Sequence, residues 1–313
     1  MKVEVDLYQD WLDGNIQEIK VALNEGYYFS VHKDWQNRIA NGDEITDWGI
    51  RERLLLLNLC RCYRQVPARK RLLKVCRDVV VPPERSRGWS DFVKEIVDGT
   101  DLNRRLSRQS LDIDSQDKML NHWRIQHFHI GVGPDAKHPM LIQGESEIVY
   151  AYVTPEVLYV IDVAEHGKWA QQQLLEKLDR DYPEALAPYL TNALDISWEA
   201  DEEDYKRLRK LNLNTMLKIN GKIFVEPGMG VACDGTPSQV VMFMLRVRRR
   251  LDKCCQMIKQ YFESTVCVDT PCQIGVADVV RLRMYGFDNR YVYVCCKEHH
   301  CAYKISENAV ERV

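Results

Sequence analysis

Along the middle third of the chain the apolar positions bunch into short unbroken runs, and this patterning predicts where a sheet lies. Residues 148–153 (IVYAYV) and 157–163 (VLYVIDV) are apolar at nearly every position and are separated only by Thr154, Pro155 and Glu156. Two such strands joined by a tight turn belong to a sheet covered on both faces, because a half-exposed strand alternates apolar with polar residues. The stretch 122–132 (HWRIQHFHIGV) mixes aromatic, branched and imidazole side chains and predicts a further strand, with a Gly- and Pro-containing loop after it. Beyond His166 and Gly167, the residues Trp169, Leu174, Leu175 and Leu178 recur at helical spacing until Pro183. The centre therefore reads as a β-β-β-α unit.

The flanks follow different rules. Residues 1–110 read as helical. Asp47 caps a helix beginning at Trp48, on which Leu54, Leu55, Leu57, Leu59 and Tyr63 crowd a broad apolar face before Pro67. The pattern predicts a second helix over 68–79, stopped before Pro82 and Pro83, and a third from Ser90 or Asp91 to about Gly99. Toward the C-terminus, LKINGKIFV places Asn220-Gly221 where a type I′ hairpin turn needs them. Thr236-Pro237-Ser238-Gln239 then offers a cap, a first-turn proline and a glutamine for a helix reaching about Phe262, followed by strands over 279–285 and 291–296. The expected fold class is α+β: a helical N-terminal region, a central small antiparallel sheet with a following helix, and a C-terminal long helix with hairpins. The corresponding segments are 1–110, 111–190, an acidic linker at 191–205, and 206–313.

Composition narrows the function classes. A net charge of −3 removes the argument that the whole molecule binds nucleic acid or an anionic membrane, so any polyanion site is local. One local excess lies at 51–110, with 15 Lys or Arg against 7 Asp or Glu. Its Arg69, Lys70, Arg71 and Lys74, together with Arg246, Arg249 and Arg250 on the long C-terminal helix, are the candidate nucleic-acid contacts. No apolar run approaches the roughly 18 residues of a membrane span, the first residues lack a signal-peptide pattern, and the 11 cysteines are odd in number and irregularly spaced. These features point to reduced thiols, a cytoplasmic setting and no membrane partner.

Candidate chemistry concentrates in the centre. Five of the eight histidines, His122, His127, His129, His138 and His166, fall between residues 122 and 166. On a strand His127 and His129 project from one face with Cβ atoms on the order of 7 Å apart, close enough to share a task. Paired imidazoles can cleave RNA without a metal: a base takes the ribose 2′-hydroxyl proton, a cation steadies the phosphorane-like charge, and an acid protonates the departing 5′-oxygen. His166 is the assisting group in this scheme, and Arg124 or Lys168 the cation. Half-buried packing is the plainer alternative for these rings. A zinc-dependent hydrolase is another, with His127, His129 and His166 as ligands and Asp162 behind them, and Cys267, Cys272, Cys295, Cys296, His299, His300 and Cys301 as a separate soft-ligand set. The glycines at Pro227-Gly228-Met229-Gly230 lack a strand-to-helix context, and there is neither a phosphate-binding loop nor a nucleophile elbow, so no cofactor is expected.

The succession WRIQHFHI, IVYAYV, VLYVIDV and a His-bearing end, spanning about 120–183, resembles the core of the RelE-type mRNA interferase toxins. The resemblance implies an endoribonuclease toxin or phage-defence effector acting through His127, His129, His166, Arg124 and Lys168. It also implies an RNA substrate, a neutralising antitoxin or defence-complex partner, and a bacterial setting. Such toxins carry their helices before a sheet rich in Arg and Lys, whereas here the strands are richer in His. A non-enzymatic protein- or nucleic-acid-binding module of the same kind of system is the competing expectation.

Overall fold

The computed structural model describes residues 2–167, 171–264, 279–296 and 300–313 and shows a mixed α+β fold. The helices are α1 (Leu7–Asn24), α2 (Lys33–Asn41), α3 (Trp48–Arg64), α4 (Ser86–Asp98), α5 (Lys118–Trp123), α6 (Gln173–Asp181), α7 (Pro183–Leu186), α8 (Glu202–Lys210) and α9 (Ser238–Ser264). The strands are β1 (Lys2–Val5), β2 (Leu72–Val75), β3 (Ile125–His129), β4 (Glu147–Val153), β5 (Val157–Glu165), β6 (Leu217–Ile219), β7 (Lys222–Phe224), β8 (Val279–Phe287), β9 (Val292–Cys296), β10 (Cys301–Ile305) and β11 (Val310–Arg312). Among the described residues no helix is long and apolar enough to cross a membrane.

Two compact units result, and neither is a continuous stretch of sequence. One gathers Met1–Val21, Asn41–Leu55 and Met242–Val313; the other gathers Ala22–Ala40 and Leu56–Val241. The first of these units joins both ends of the chain. Its sheet runs β1-β8-β9-β10-β11, with β1 parallel to β8 through the register Lys2↔Val279 to Val5↔Leu282. That pairing makes a strand of residues the sequence reading had placed in a helical region. Asp47 does cap α3, its carboxylate accepting from Ile50 N at 2.8 Å.

The second unit is built on the sheet β2-β5-β4-β3. β3, β4 and β5 form the expected antiparallel meander, and the Thr154 turn closes through Thr154 N to Val157 O at 2.9 Å. Both faces are covered. Ile125, Ile148, Tyr150, Tyr152 and Ile161 pack with Leu174, Leu175 and Leu178 of α6, while Phe128, Val149, Ala151, Leu158 and Val160 pack with Phe92 and Ile96 of α4. Burial of this kind contributes roughly 1.5–3 kcal/mol per large side chain and outweighs local propensity.

Tertiary packing overrides the expected helix at 68–79. Its centre is β2, parallel to β5 through Leu72↔Val157 to Val75↔Val160, so Leu73 and Val75 add to the buried face instead of a helix stripe. The basic side chains of this stretch then do structural work. Arg71 is buried and donates to the carbonyls of Thr154 (2.9 Å), Pro67 (3.0 Å) and Arg69 (3.3 Å). Lys74 donates to Glu184 at 2.7 Å and lies over the Tyr159 and Tyr182 rings. Arg69 and Lys70 remain exposed, as do Arg246 and Arg249 in the other unit, where Arg250 bonds the Asp288 carbonyl. The 122–132 stretch is likewise split: His122 and Trp123 end α5, Arg124 turns the chain at φ 58°, and only Ile125–His129 are strand.

α4 lies so close to the end of β3 that a Cβ on Gly88 would sit 1.7 Å from the Ile130 carbonyl oxygen. Backbone cannot yield there as a flexible side chain would. Gly88→Ala is expected to destabilise the protein by about 3 kcal/mol, the upper range for overpacking, measured as a lowered denaturant midpoint. A midpoint within error of the parent would show that this helix–strand contact is looser than described.

Candidate active site

β3 is one of the two edge strands of its sheet, and its pairing with β4 sets His127 opposite Tyr150 and His129 opposite Ile148. Alternation puts both imidazoles on the face that carries Ile125, beyond the point where α6 packs against it. β5 ends at Glu165, and His166 follows at once, its N–H bonded to the Ser146 carbonyl at 3.3 Å. The three rings meet: centroids are 6.1 Å apart for His127 and His129, 6.2 Å for His127 and His166, and 5.4 Å for His129 and His166.

They line a cavity of about 1120 Å³ within this unit. Pockets for drug-sized ligands span roughly 300–1,000 Å³, so this cavity lies just beyond the upper end of that range. The rest of the lining comes from the end of α3 (Arg64), the residues before and in α5 (Asp117, Lys118), the loops at 106–110, 134–136 and 141–144, and α8 (Lys206, Arg209). Gly144 lies against the His129 ring, where an added Cβ would meet it at 3.4 Å, an ordinary contact distance. Five cations against two carboxylates make the lining electropositive.

These cations are held, not loosely displayed. Arg64 is only 6% exposed and gives its guanidinium to the carbonyls of Ser115 and Asp112, the latter at 2.7 Å; no carboxylate bonds it among the described residues. Arg209, 5% exposed, rests over the Trp123 ring at 4.0 Å, and burial lowers its pKa to about 10, which leaves it charged at neutral pH. Arg108 grips Asp135 with both nitrogens at 2.6–3.1 Å and, with two backbone N–H donors, holds that carboxyl down at about 2. The backbone of His129 is pinned from behind by buried Arg105, whose Nη1 donates to the His129 carbonyl at 3.1 Å while its Nη2 donates to Glu95 at 2.9 Å.

Burial also decides which form the imidazoles take. His129 is 7% exposed; desolvation first, then the neighbouring imidazoles, lower its pKa to about 4. The pKa of His127 is lowered as well, by burial and against the pull of Asp117. Both rings are therefore neutral at pH 7. His129 Nδ1 is enclosed and meets no hydrogen-bond partner among the described residues. His166 stands exposed to solvent at the same cavity.

Of the residues singled out from the sequence, His127, His129 and His166 are brought together. Arg124 is not: its Nη1 donates to the Tyr189 hydroxyl at 2.8 Å and its guanidinium lies over Tyr152, away from the cavity lining. Lys168 lies outside the described residues. His122 forms a separate buried pair with Glu226 at 2.8 Å, and His138 belongs to a loop tied to Asp135 through its backbone. Asp162 is salt-bridged to Lys177 at 3.0 Å. Among the described residues no group of three or more His, Cys, Asp or Glu side chains is placed to hold a metal ion, and Cys267, Cys272 and His299 lie outside them. Sequence reasoning missed Arg64, Arg108 and Arg209, whose positions far from the histidine segment carry no local signal.

Comparison with family models, with curated protein sequences and with solved structures finds no match to this chain.

Proposed function

We propose that the protein is a metal-independent endoribonuclease, a toxin or defence effector that cleaves RNA in the three-histidine cavity. The observation that carries this reading is the convergence of His127, His129 and His166 on one electropositive hollow beside Arg64 and Arg209. An uncharged carbohydrate site would not need guanidinium groups in its walls; a phosphodiester anion is neutralised by them.

In this mechanism neutral His129 takes the proton of the ribose 2′-hydroxyl as the oxygen attacks phosphorus. Arg64 and Arg209 balance the charge that grows on the phosphoryl oxygens, a stabilisation strengthened by their dry surroundings. His166 protonates the departing 5′-oxygen, having solvent as its proton source, and the products are a 2′,3′-cyclic phosphate and a 5′-hydroxyl. His127 is a positioning residue between them. The arriving phosphate also favours the protonated form of a nearby imidazole, so acid and base separate only once substrate is bound.

The test is direct. Purified protein in EDTA should cut a single-stranded RNA reporter, leave cyclic-phosphate ends, and spare the same reporter with a 2′-deoxyribose at each position. If no RNA of any sequence is cut, the catalytic reading fails and a non-enzymatic RNA- or protein-binding module takes its place.

A further inference from the structure

A second, smaller cavity of about 300 Å³ adjoins the first, and Arg64, Leu106, Ser110 and Leu141 belong to the walls of both. Its own cations are Arg61 and Arg104. Arg61 sits one helical turn before Arg64 on α3, is 9% exposed, and lies over the Tyr27 ring at 5.1 Å; its Nε donates to Asn58 at 2.9 Å. Arg104 is exposed, and its guanidinium makes no hydrogen bond or ion pair among the described residues. Two acids share the rim, Glu25 and Asp101, and Asp101 is already occupied by Asn103 through bonds of 2.9 and 2.7 Å. Tyr27, Met140 and Leu111 supply apolar surface.

Apart from the shared Arg64, no residue of the catalytic scheme lines this hollow. Buried Arg61 is costly to keep for packing alone, because in place of lost hydration and a carboxylate it has only Asn58, the Cys62 sulfur at 3.6 Å and the Tyr27 ring, and exposed Arg104 brings a second unneutralised charge to the same rim. A phosphate supplies what they lack. The shared wall at Arg64 then makes the two cavities successive stations for one polyanion.

We propose that the smaller cavity is a second nucleotide subsite, which takes the phosphate next to the scissile one between Arg61 and Arg104 and sets its base against Tyr27. This rests on the ribonuclease reading and deepens it: the substrate class becomes single-stranded RNA of at least three nucleotides. Base pairing would obstruct it, since a duplex cannot splay one nucleotide into a closed hollow.

The experiment compares a dinucleotide, which has one phosphodiester, with a trinucleotide, which has two. Binding is measured with uncleavable 2′-O-methyl versions and cleavage with the RNA forms. The trinucleotide should bind about tenfold more tightly, the scale of one added charge-assisted contact, and Arg104→Ala should remove that gain. The salt dependence of binding should also become shallower in R104A by about 0.7 per lost phosphate contact. Arg104 is exposed, so its truncation leaves the fold intact, which a melting curve verifies. Histidine-dependent cleavage with equal affinity for both lengths, or a trinucleotide gain that survives in R104A, overturns the subsite alone. Absence of cleavage of every RNA overturns the ribonuclease reading and the subsite with it.

Discussion

Replacing His129 by Ala should lower the rate of RNA cleavage by about 10²–10⁴-fold, the contribution of a well-placed general base. His166→Ala should fall in the same range, because an acid missing at the leaving oxygen stalls the same transition state. The double variant should be little slower than either single one, since groups that act on one transition state are not additive. His127→Ala should lose less, as a ring that positions its neighbours leaves the proton transfers themselves in place. His138→Ala serves as the control: the loop there is held by backbone bonds to Asp135, which the substitution preserves. Melting curves separate lost chemistry from lost structure. Cleavage by folded H129A at half the parental rate or more would falsify the assignment.

Acid should also weaken the fold through the same ring. His129 has a folded pKa of about 4, below the roughly 6.5 of an unfolded imidazole. The unfolded state therefore binds more protons in that interval. The contribution is fully present above about pH 6.5 and is lost as pH falls toward 4, with about 3 kcal/mol as the upper figure for a shift of that size. His127 acts in the same direction. The salt-bridged carboxylate of Asp135 titrates near 2 and so contributes its loss below this window. Denaturant midpoints at pH 7.5 and 4.5 should show the decline in the parent and a smaller one in His129→Leu. An equal decline in both proteins would mean that the ring is not desolvated in the folded chain.

Much of the site was legible because it depends on alternation. His127 and His129 share a face for the same reason that Tyr150 and Tyr152 do, and the turn at Thr154 ensures that whatever follows β5 returns to the same end of the sheet. The cations were not legible. Arg124, adjacent in sequence, caps α5 and points elsewhere, whereas Arg64 and Arg209 reach the cavity from helices far away along the chain. The basic cluster at 69–74 misled in the opposite sense. A strand at Leu72–Val75 turns Arg71 toward carbonyls and Lys74 toward tyrosines and a glutamate, so charge density in the sequence did not become phosphate-binding surface.

Local chemistry determined the Asp47 cap, the Asn220-Gly221 hairpin, the turn from β4 to β5 and the shared face of two imidazoles, since each depends on residues within a few positions of one another. Tertiary structure decided that β2 joins β5, that β1 reaches β8 across the whole chain, and that buried arginines line the same cavity as the histidines. Those outcomes compare the burial of one distant surface with that of another, and no short window of sequence contains both sides of that comparison.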